Sequence, residues 1–542
     1  MDTFLSARRE LLKKGGMGLA AAAVAAVPSA YAAPKSSSLT VTPNIFDIRT
    51  FGAVGDGKTV DSPAINKAID AAAAAGGGTV LFPAGTWLSF SIRLKSHVNL
   101  FLSQGATLLA ADSPKPGETT GYNGGTYDPA EPKTEWDAYQ DYGHNHWHNS
   151  LIWGEGIQDV SITGPGLIWG KGLSRGSRTG FVAEQAGVGN KAIALKNCRN
   201  VMFRDFSILK GGHFGLLLTG VDNMTIDNLM IDTDRDGIDI DCCKNVRVSN
   251  CFVNSPWDDG ICPKSSYALG YAKPTENLTI TNCVMTGYYE LGTVIDGTFK
   301  KFAPDFRVPR NGRIKCGTES NGGFKNITIS NITFEGSMGL ALESEEGALC
   351  EDVAISNITM RDGVNGPLFF RLGARLRGPK ETTKVGTLRR VMVNNLVSYN
   401  SSSHICSILS GIPGYAVQDV KISNVYVQHQ GGAAADTVAL TPPENIEKYP
   451  DPPMFGPMPS QGFFLRHVDH LEMSHVEVQP VQPDPRPSFY LQDVNRADFI
   501  AATAPTSAEA PAFHLNKVTD LRIALSRAAK DTQLATADGQ TL

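Results

Sequence analysis

From about residue 157 the chain is written in short alternating segments. Ile157-Gln158-Asp159-Val160-Ser161-Ile162 ends in an apolar-polar-apolar alternation, Val160-Ser161-Ile162. Similar stretches begin near Asn200-Val201, Asn223-Met224, Asn245-Val246, Asn277-Leu278, Asn326-Ile327, Asp352-Val353, Asp419-Val420 and Asp469-His470. A period of two is the signature of a strand with one buried face. The steps 200→223→245 are 23 and 22 residues, and the longer steps 245→277 and 277→326 imply loops inserted on the surface. A unit this short cannot bury its apolar face alone and must stack on copies of itself. Leucine-rich repeats share the length, but Leu does not dominate the repeating positions here. The β-branched pattern predicts an all-β parallel β-helix. Asn at a fixed place in each turn can ladder with its neighbours and tolerates left-handed backbone.

The N-terminal region has a different pattern. Ile45 to Gly57 reads as a strand and a Gly-rich turn. Ser62 then offers a helix cap, Pro63 suits the first helical position, and Ala64, Ile65, Ala68, Ile69 and Ala71 fall on one helical face. The helix should stop at Gly76-Gly77-Gly78 and cover the open end of the solenoid, whose edge would otherwise be unpaired. Residues 111–150 and the Pro-rich 442–459 read as long loops, which are usually functional or disordered. The expected organisation is one β-helix domain over 33–524 and a C-terminal tail, 525–542, either frayed or a local cap.

Composition narrows the function. The 542 residues carry a formal net charge of -5, whereas nucleic-acid binders are usually basic. A local basic cluster can still focus an anionic ligand in a cleft. The nine Cys include no CxxC pair, and several follow Asn within the repeats, so buried thiols are expected rather than a disulfide framework. Residues 1–32 read as a twin-arginine-type export signal: Arg8-Arg9, a soft Ala-rich run and Ala30-Tyr31-Ala32 before the cut. A general secretory signal is the alternative. The mature protein is expected in the periplasm or secreted, off the membrane.

The chemistry concentrates between Ile231 and Thr318. If one turn takes about 22 residues, Asp236 and Asp258 occupy similar places on neighbouring turns, with Asp259 alongside. Glycoside hydrolysis needs one protonated carboxyl and one carboxylate that activates water, and close carboxylates split their titrations. An Asp-rich turn set or a calcium site fits the same spacing. Asp239 and Asp241 alternate with Ile238 and Ile240. Arg313 and Lys315, two apart on a strand, face one side and suit a sugar carboxylate, or structural partners. Lys264 can join them, and Trp257, Tyr288 and Tyr289 offer aromatic surface. His144, His146 and His148 would share a side if extended, as a rim to a sugar cleft, as loop packing or as metal ligands.

These residues resemble the motifs of the polygalacturonase family of pectin-degrading glycoside hydrolases, family 28 type. The likeness spans about 45–430. It includes Phe51-Gly52-Ala53-Val54-Gly55-Asp56-Gly57, Asp234-Arg235-Asp236-Gly237 for Asn-Thr-Asp-Gly, Trp257-Asp258-Asp259 for Gly-Asp-Asp, Ile261 to Ser265 for Ile-x-x-Lys-Ser, and an intact Arg313-Ile314-Lys315. The resemblance implies a right-handed helix and inverting hydrolysis. Asp258 would be the general acid, Asp236 and Asp259 would hold the water, and Arg313 and Lys315 would bind the substrate carboxylate. The family's Gly-His-Gly is absent; Tyr289-Glu290-Leu291 stands there, so Glu290 is expected to meet a different sugar or support the acid. The expected partner is an acidic pectic glycan, attacked from chain ends if the loop inserts wall the cleft. No cofactor, no metal and no nucleic acid are expected, and the chain is expected to act as a monomer. A polysaccharide lyase with a base and Ca²⁺, or a glycan-binding solenoid, are the competing readings.

Overall fold

The computed structural model describes residues 44–176, 185–506 and 510–542; the expected export signal lies outside them. The strands form a right-handed parallel β-helix, joined in one 34-stranded hydrogen-bonded system. Up to Ala524, each strand pairs in parallel with its counterpart one turn away. Leu216, Ile238, Ile261, Ile314, Leu340 and Leu368 thus form a column along the axis, all at most 1% exposed. Burying such side chains contributes roughly 1.5–3 kcal/mol each, which is why every turn repeats them.

The corners are set by Asn. Asn200, Asn223, Asn245, Asn277 and Asn326 all have φ of 55–58°, the left-handed region that Asn tolerates best after Gly. Their side chains form the predicted ladder, each amide donating to the previous carbonyl: Asn223 to Asn200 at 3.2 Å, Asn245 to Asn223 at 3.0 Å, Asn277 to Asn245 at 2.9 Å and Asn326 to Asn277 at 2.8 Å. A second ladder runs through Asn282, Asn331, Asn357 and Asn395. All nine Cys are buried and unpaired with one another.

The helix Ser62–Ala74 buries Ile65, Ala68, Ile69 and Ala72 against the first turns. Its cap differs from the expectation. Asp61 holds the N-cap position, but its carboxylate turns away to accept from the N–H groups of Val54 and Gly55 at 2.7 and 3.1 Å. Ser62 accepts from the Phe90 N–H at 3.2 Å. Both side chains tie the helix to the preceding loop and the first turn instead of closing its own end. At the other end, the segment 525–542 folds back: Thr532–Ala537 and Gln540–Thr541 pair antiparallel with Phe513–Ala524.

One sheet is buried on both faces. Its strand Asp236–Asp241 has no exposed residue, because loops lie over its outer side. The Pro-rich loop is held there by two buried arginines. Arg371 donates to the carbonyls of Glu444 and Asn445 at 2.9 and 3.3 Å, and Arg466 to those of Pro442 and Pro443 at 2.8 and 3.0 Å. Phe455 lies beneath both guanidiniums, 5.5 and 5.3 Å away.

Candidate active site

Register brings the acids together. Asp239 pairs with Cys262 and Asp241 with Lys264, so two carboxylates of one turn stand beside the Lys264 cation of the next. The same register sets Asp236 over Asp259, rather than over Asp258 as the 22-residue spacing suggests. Gly237 N–H donates to the Asp259 carbonyl at 3.0 Å, and Asp259 N–H donates to Asp236 Oδ1 at 3.2 Å. Gly237 is required for this approach: a Cβ there would stand 2.5 Å from the Gly260 carbonyl oxygen. Asp236, Asp258 and Asp259 place oxygens within 4.8 Å of one another.

These side chains open onto a cavity of about 240 Å³. The β-helix contributes His213, Arg235, Asp236, Asp258, Asp259, Lys264 and Lys315 to its lining. The 111–150 loop contributes Asp141, Tyr142 and His144, and the Pro-rich loop contributes Tyr449. Neither Tyr289, Glu290, His146 nor any residue of 299–311 is in that lining.

Each acid has a distinct environment. Asp259 is 1% exposed; Arg313 Nε donates to it at 2.6 Å and Lys315 Nζ at 2.5 Å. Burial alone would raise its carboxyl, but Arg313, Lys315 and Lys264 outweigh that and hold it well below the usual range. Asp236 is driven the other way. Burial, then the charges of Asp258 and Asp239, raise it well above an ordinary Asp, against the pull of Lys264 at 3.8 Å. Burial lifts Asp239 to about 6 despite Lys264, also 3.8 Å away. Asp258 is the most open of the three, its side chain 24% exposed, and pairs with Arg235 Nη2 at 2.7 Å.

The supporting shell contains residues that sequence reasoning did not single out. Tyr449 Oη accepts from Lys315 at 3.2 Å, and Asp451 takes the second side of Arg313 at 2.9 Å. His213 sits between the carbonyls of Tyr142 and Arg175, at 3.1 and 3.0 Å; burial, then the Arg235 charge, push its pKa well below the ordinary value, against the two carbonyl acceptors, which favour the imidazolium. Glu319 pairs with His144 Nδ1 and accepts from Asp141 N–H at 2.8 Å.

The three loop histidines do not share a side. Residues 142–145 form a turn, so the alternation expected of an extended chain is lost. His144 joins the cleft. His146 is buried beside Asn149 and Lys191, at 2.7 and 2.8 Å, and lines a separate cavity with Glu131 and Lys133. His148 lies on Trp153 at 3.9 Å and meets Glu155 at 3.0 Å. Glu290 and Tyr289 lie in the 287–312 excursion: Glu290 pairs with Lys300 at 2.9 Å, and the Tyr289 hydroxyl donates to Glu335 at 2.5 Å.

Three side-chain sets have ligand atoms close enough for a metal: Asp236-Asp258-Asp259, His144-Asp236-Asp239 and Glu131-His148-Glu155. In the first two, the protein's own Lys264, Lys315, Arg313 and Arg235 already supply the counter-charge. A divalent ion between Asp236 and Asp239 would have to displace the Lys264 ammonium.

Fold and site define a right-handed parallel β-helix protein with an acid-rich cleft on one outer sheet. Residues 130–291, which contain Asp236, Asp258 and Asp259, match the sequence model of "Glycosyl hydrolases family 28". Residues 45–115 match "Rhamnogalacturonase A/epimerase, pectate lyase-like". A probable polygalacturonase of Vitis vinifera is 23% identical over 441 residues, covering 76% of this chain and 80% of its own. The family 28 exopolygalacturonase of Yersinia enterocolitica superposes with a TM-score of 0.56 at 18% identity, over 86% of this chain and 79% of that one. The exopolygalacturonase of Thermotoga maritima gives 0.52 at 19%, over 71% and 87%. The chain is thus similar to family 28 glycosyl hydrolases over residues 130–291 and shares the β-helix fold of the two exopolygalacturonases.

Proposed function

We propose that this protein hydrolyses galacturonate-containing pectic glycans, with Asp258 as proton donor and Asp236 and Asp259 as the groups that hold the attacking water. The observation that carries this reading is the placing of three adjacent carboxylates in three settings: a cation-clamped Asp259, a buried Asp236 of raised proton affinity and an open Asp258. Asp258 gives its proton to the glycosidic oxygen as the C–O bond breaks. Water adds to the anomeric carbon, and its proton passes to Asp236, the more basic of the two remaining carboxylates. Asp259 orients the water and balances Arg313 and Lys315.

The inverting outcome comes with the family resemblance. Carboxyl oxygens within 4.8 Å lie closer than the spacing of about 6.5–9.5 Å usual for inverting enzymes. The anomer released first is therefore a direct test: inversion of an α-linked substrate gives the β-anomer, and an initial α-anomer means a covalent route. Exo action fits a cleft lined by Tyr142 from one loop and Tyr449 from another, and the two superposed proteins are both exopolygalacturonases by name. Early monomer or dimer release from a long homogalacturonan is expected; a ladder of mid-size oligomers would remove exo action. Asp258→Asn should lower turnover by about 10²–10⁴-fold with the fold unchanged, and unaltered turnover would assign the donor role elsewhere. Export by the 1–32 signal would place this activity in the periplasm or outside the cell. A reporter fused to that segment and retained in the cytoplasm would contradict export.

A further inference from the structure

The cations around the cleft are not equivalent. Lys315 and Arg313 have side chains 2% and 3% exposed and are both committed to Asp259. Lys264, at 4%, stands between Asp236 and Asp239. Arg235 is 24% exposed and gives one N–H to an equally exposed Asp258. Its Nε–H is a buried donor with no acceptor among the described residues. Buried donors are almost always satisfied, so such an atom marks a place where an acceptor belongs.

We propose that Arg235 receives the carboxylate of the sugar and that this exchange arms Asp258. The inference rests on reading the cleft as a galacturonate hydrolase and identifies how that cleft recognises charge. A guanidinium presents adjoining N–H groups that match the two oxygens of a carboxylate. A uronate on Arg235 satisfies Nε–H and competes with Asp258 for Nη2–H. Before binding, one proton serves the Asp236–Asp258 pair. It rests on Asp236, which burial and the neighbouring charges make the stronger proton holder, while Asp258 stands against the Arg235 guanidinium at 2.7 Å. When Arg235 turns to the sugar, Asp258 loses its counter-charge. The proton then passes from Asp236 to Asp258, whose oxygens are within 4.8 Å. No proton enters or leaves the pair. Asp258 becomes a protonated donor, and Asp236 becomes an ionised acceptor for the proton of water. A neutral sugar makes no such exchange, so substrate charge is read in the chemical step as well as in binding.

The test is titration calorimetry with D-galacturonate, with D-galactose as the uncharged control. Arg235→Gln should bind galacturonate about 10- to 100-fold more weakly than the native protein, and Asp258→Asn, which frees Arg235 from its protein partner, should bind it about 10-fold more tightly. Galactose binding should change in neither variant. Arg235→Gln should also lower kcat on oligogalacturonides beyond its effect on KM. Equal galacturonate affinity in native protein and Arg235→Gln, or no gain in Asp258→Asn, overturns the assignment. The Asp258→Asn arm still decides if Arg235→Gln does not fold. A native protein that neither binds nor cleaves galacturonides defeats the functional reading itself. One that cleaves them, with Arg235→Gln matching its kcat and KM, defeats only the role of Arg235.

Discussion

Asp236, Asp258 and Asp259 lie within 23 positions of sequence, yet their behaviour is set by which charges stand next to each. Arg313 and Lys315 clamp Asp259, burial dominates Asp236, and solvent reaches Asp258. Glu343 shows the same physics without facing the substrate. It is fully buried, with Arg313 3.8 Å away, and burial pushes its carboxyl from 4.5 up to about 7, against Lys315 and Arg313. A carboxyl raised in the folded state binds a proton that the unfolded chain releases. Its contribution to stability is therefore complete below about pH 4.5 and is lost as pH rises through 7, up to about 3 kcal/mol in all. Asp239, lifted to about 6, adds a loss of the same sign at lower pH, whereas Asp259 contributes stability that fades only in acid. Denaturant unfolding at pH 5 and pH 8 should show the native protein losing stability toward pH 8 and Glu343→Gln losing clearly less. An identical slope in both would mean that Glu343 is ionised in the fold. At this scale the sequence was informative about the trio, because a solenoid of known period turns spacing into proximity. It was uninformative about Arg235, which reads as one more turn residue until its free Nε–H and its pairing with Asp258 are seen.

The elements divide into those written as periodic patterns and those that are not. The Asn corners were legible because left-handed φ and side-chain laddering both select the same residue. Asn245→Ala should lose about 1–2 kcal/mol, combining left-handed strain with two ladder bonds, and thermal unfolding would measure it; Asn245→Gly should recover the strain part only. The Pro-rich loop was recognisable as a loop, but nothing in 442–459 announces that Tyr449 and Asp451 reach Lys315 and Arg313. That information lies in Arg371 and Arg466, distant in sequence, whose buried guanidiniums hold the loop by its carbonyls. Arg371→Met should leave those carbonyls unsatisfied, costing about 3 kcal/mol. It should also open 440–461 to limited proteolysis and raise KM before it lowers kcat. Protease resistance equal to the native protein would show that the loop is held by other contacts. The 287–312 excursion was misread for a related reason. Glu290 was placed by aligning a motif, whereas the register resumes only at Ile314, and the loop carries Glu290 to Lys300 instead of to the acids.

The whole molecule is a ladder whose core column repeats one apolar set, so fold class followed from the period and the β-branched residues that fill it. Its long loops are not periodic, and they decide what can enter the cleft: 111–150 brings Asp141, Tyr142 and His144, and the Pro-rich loop brings Tyr449. The parts of the site on the strands and the short turns between them were therefore readable in advance, and the parts that depend on the long loops were not. His213 belongs with the second group; it reads as part of a Gly-rich turn, and only the two loop carbonyls that hold it give it a place. The central claim is that the carboxylate trio hydrolyses a galacturonate glycan. It is tested most directly by incubating the protein with α-linked oligogalacturonides in H₂¹⁸O and analysing the products by mass spectrometry. The account predicts saturated products, each carrying one ¹⁸O at the new reducing end, formed about 10²–10⁴-fold more slowly by Asp258→Asn. Unsaturated products lacking ¹⁸O, or undiminished labelling by Asp258→Asn, would contradict it.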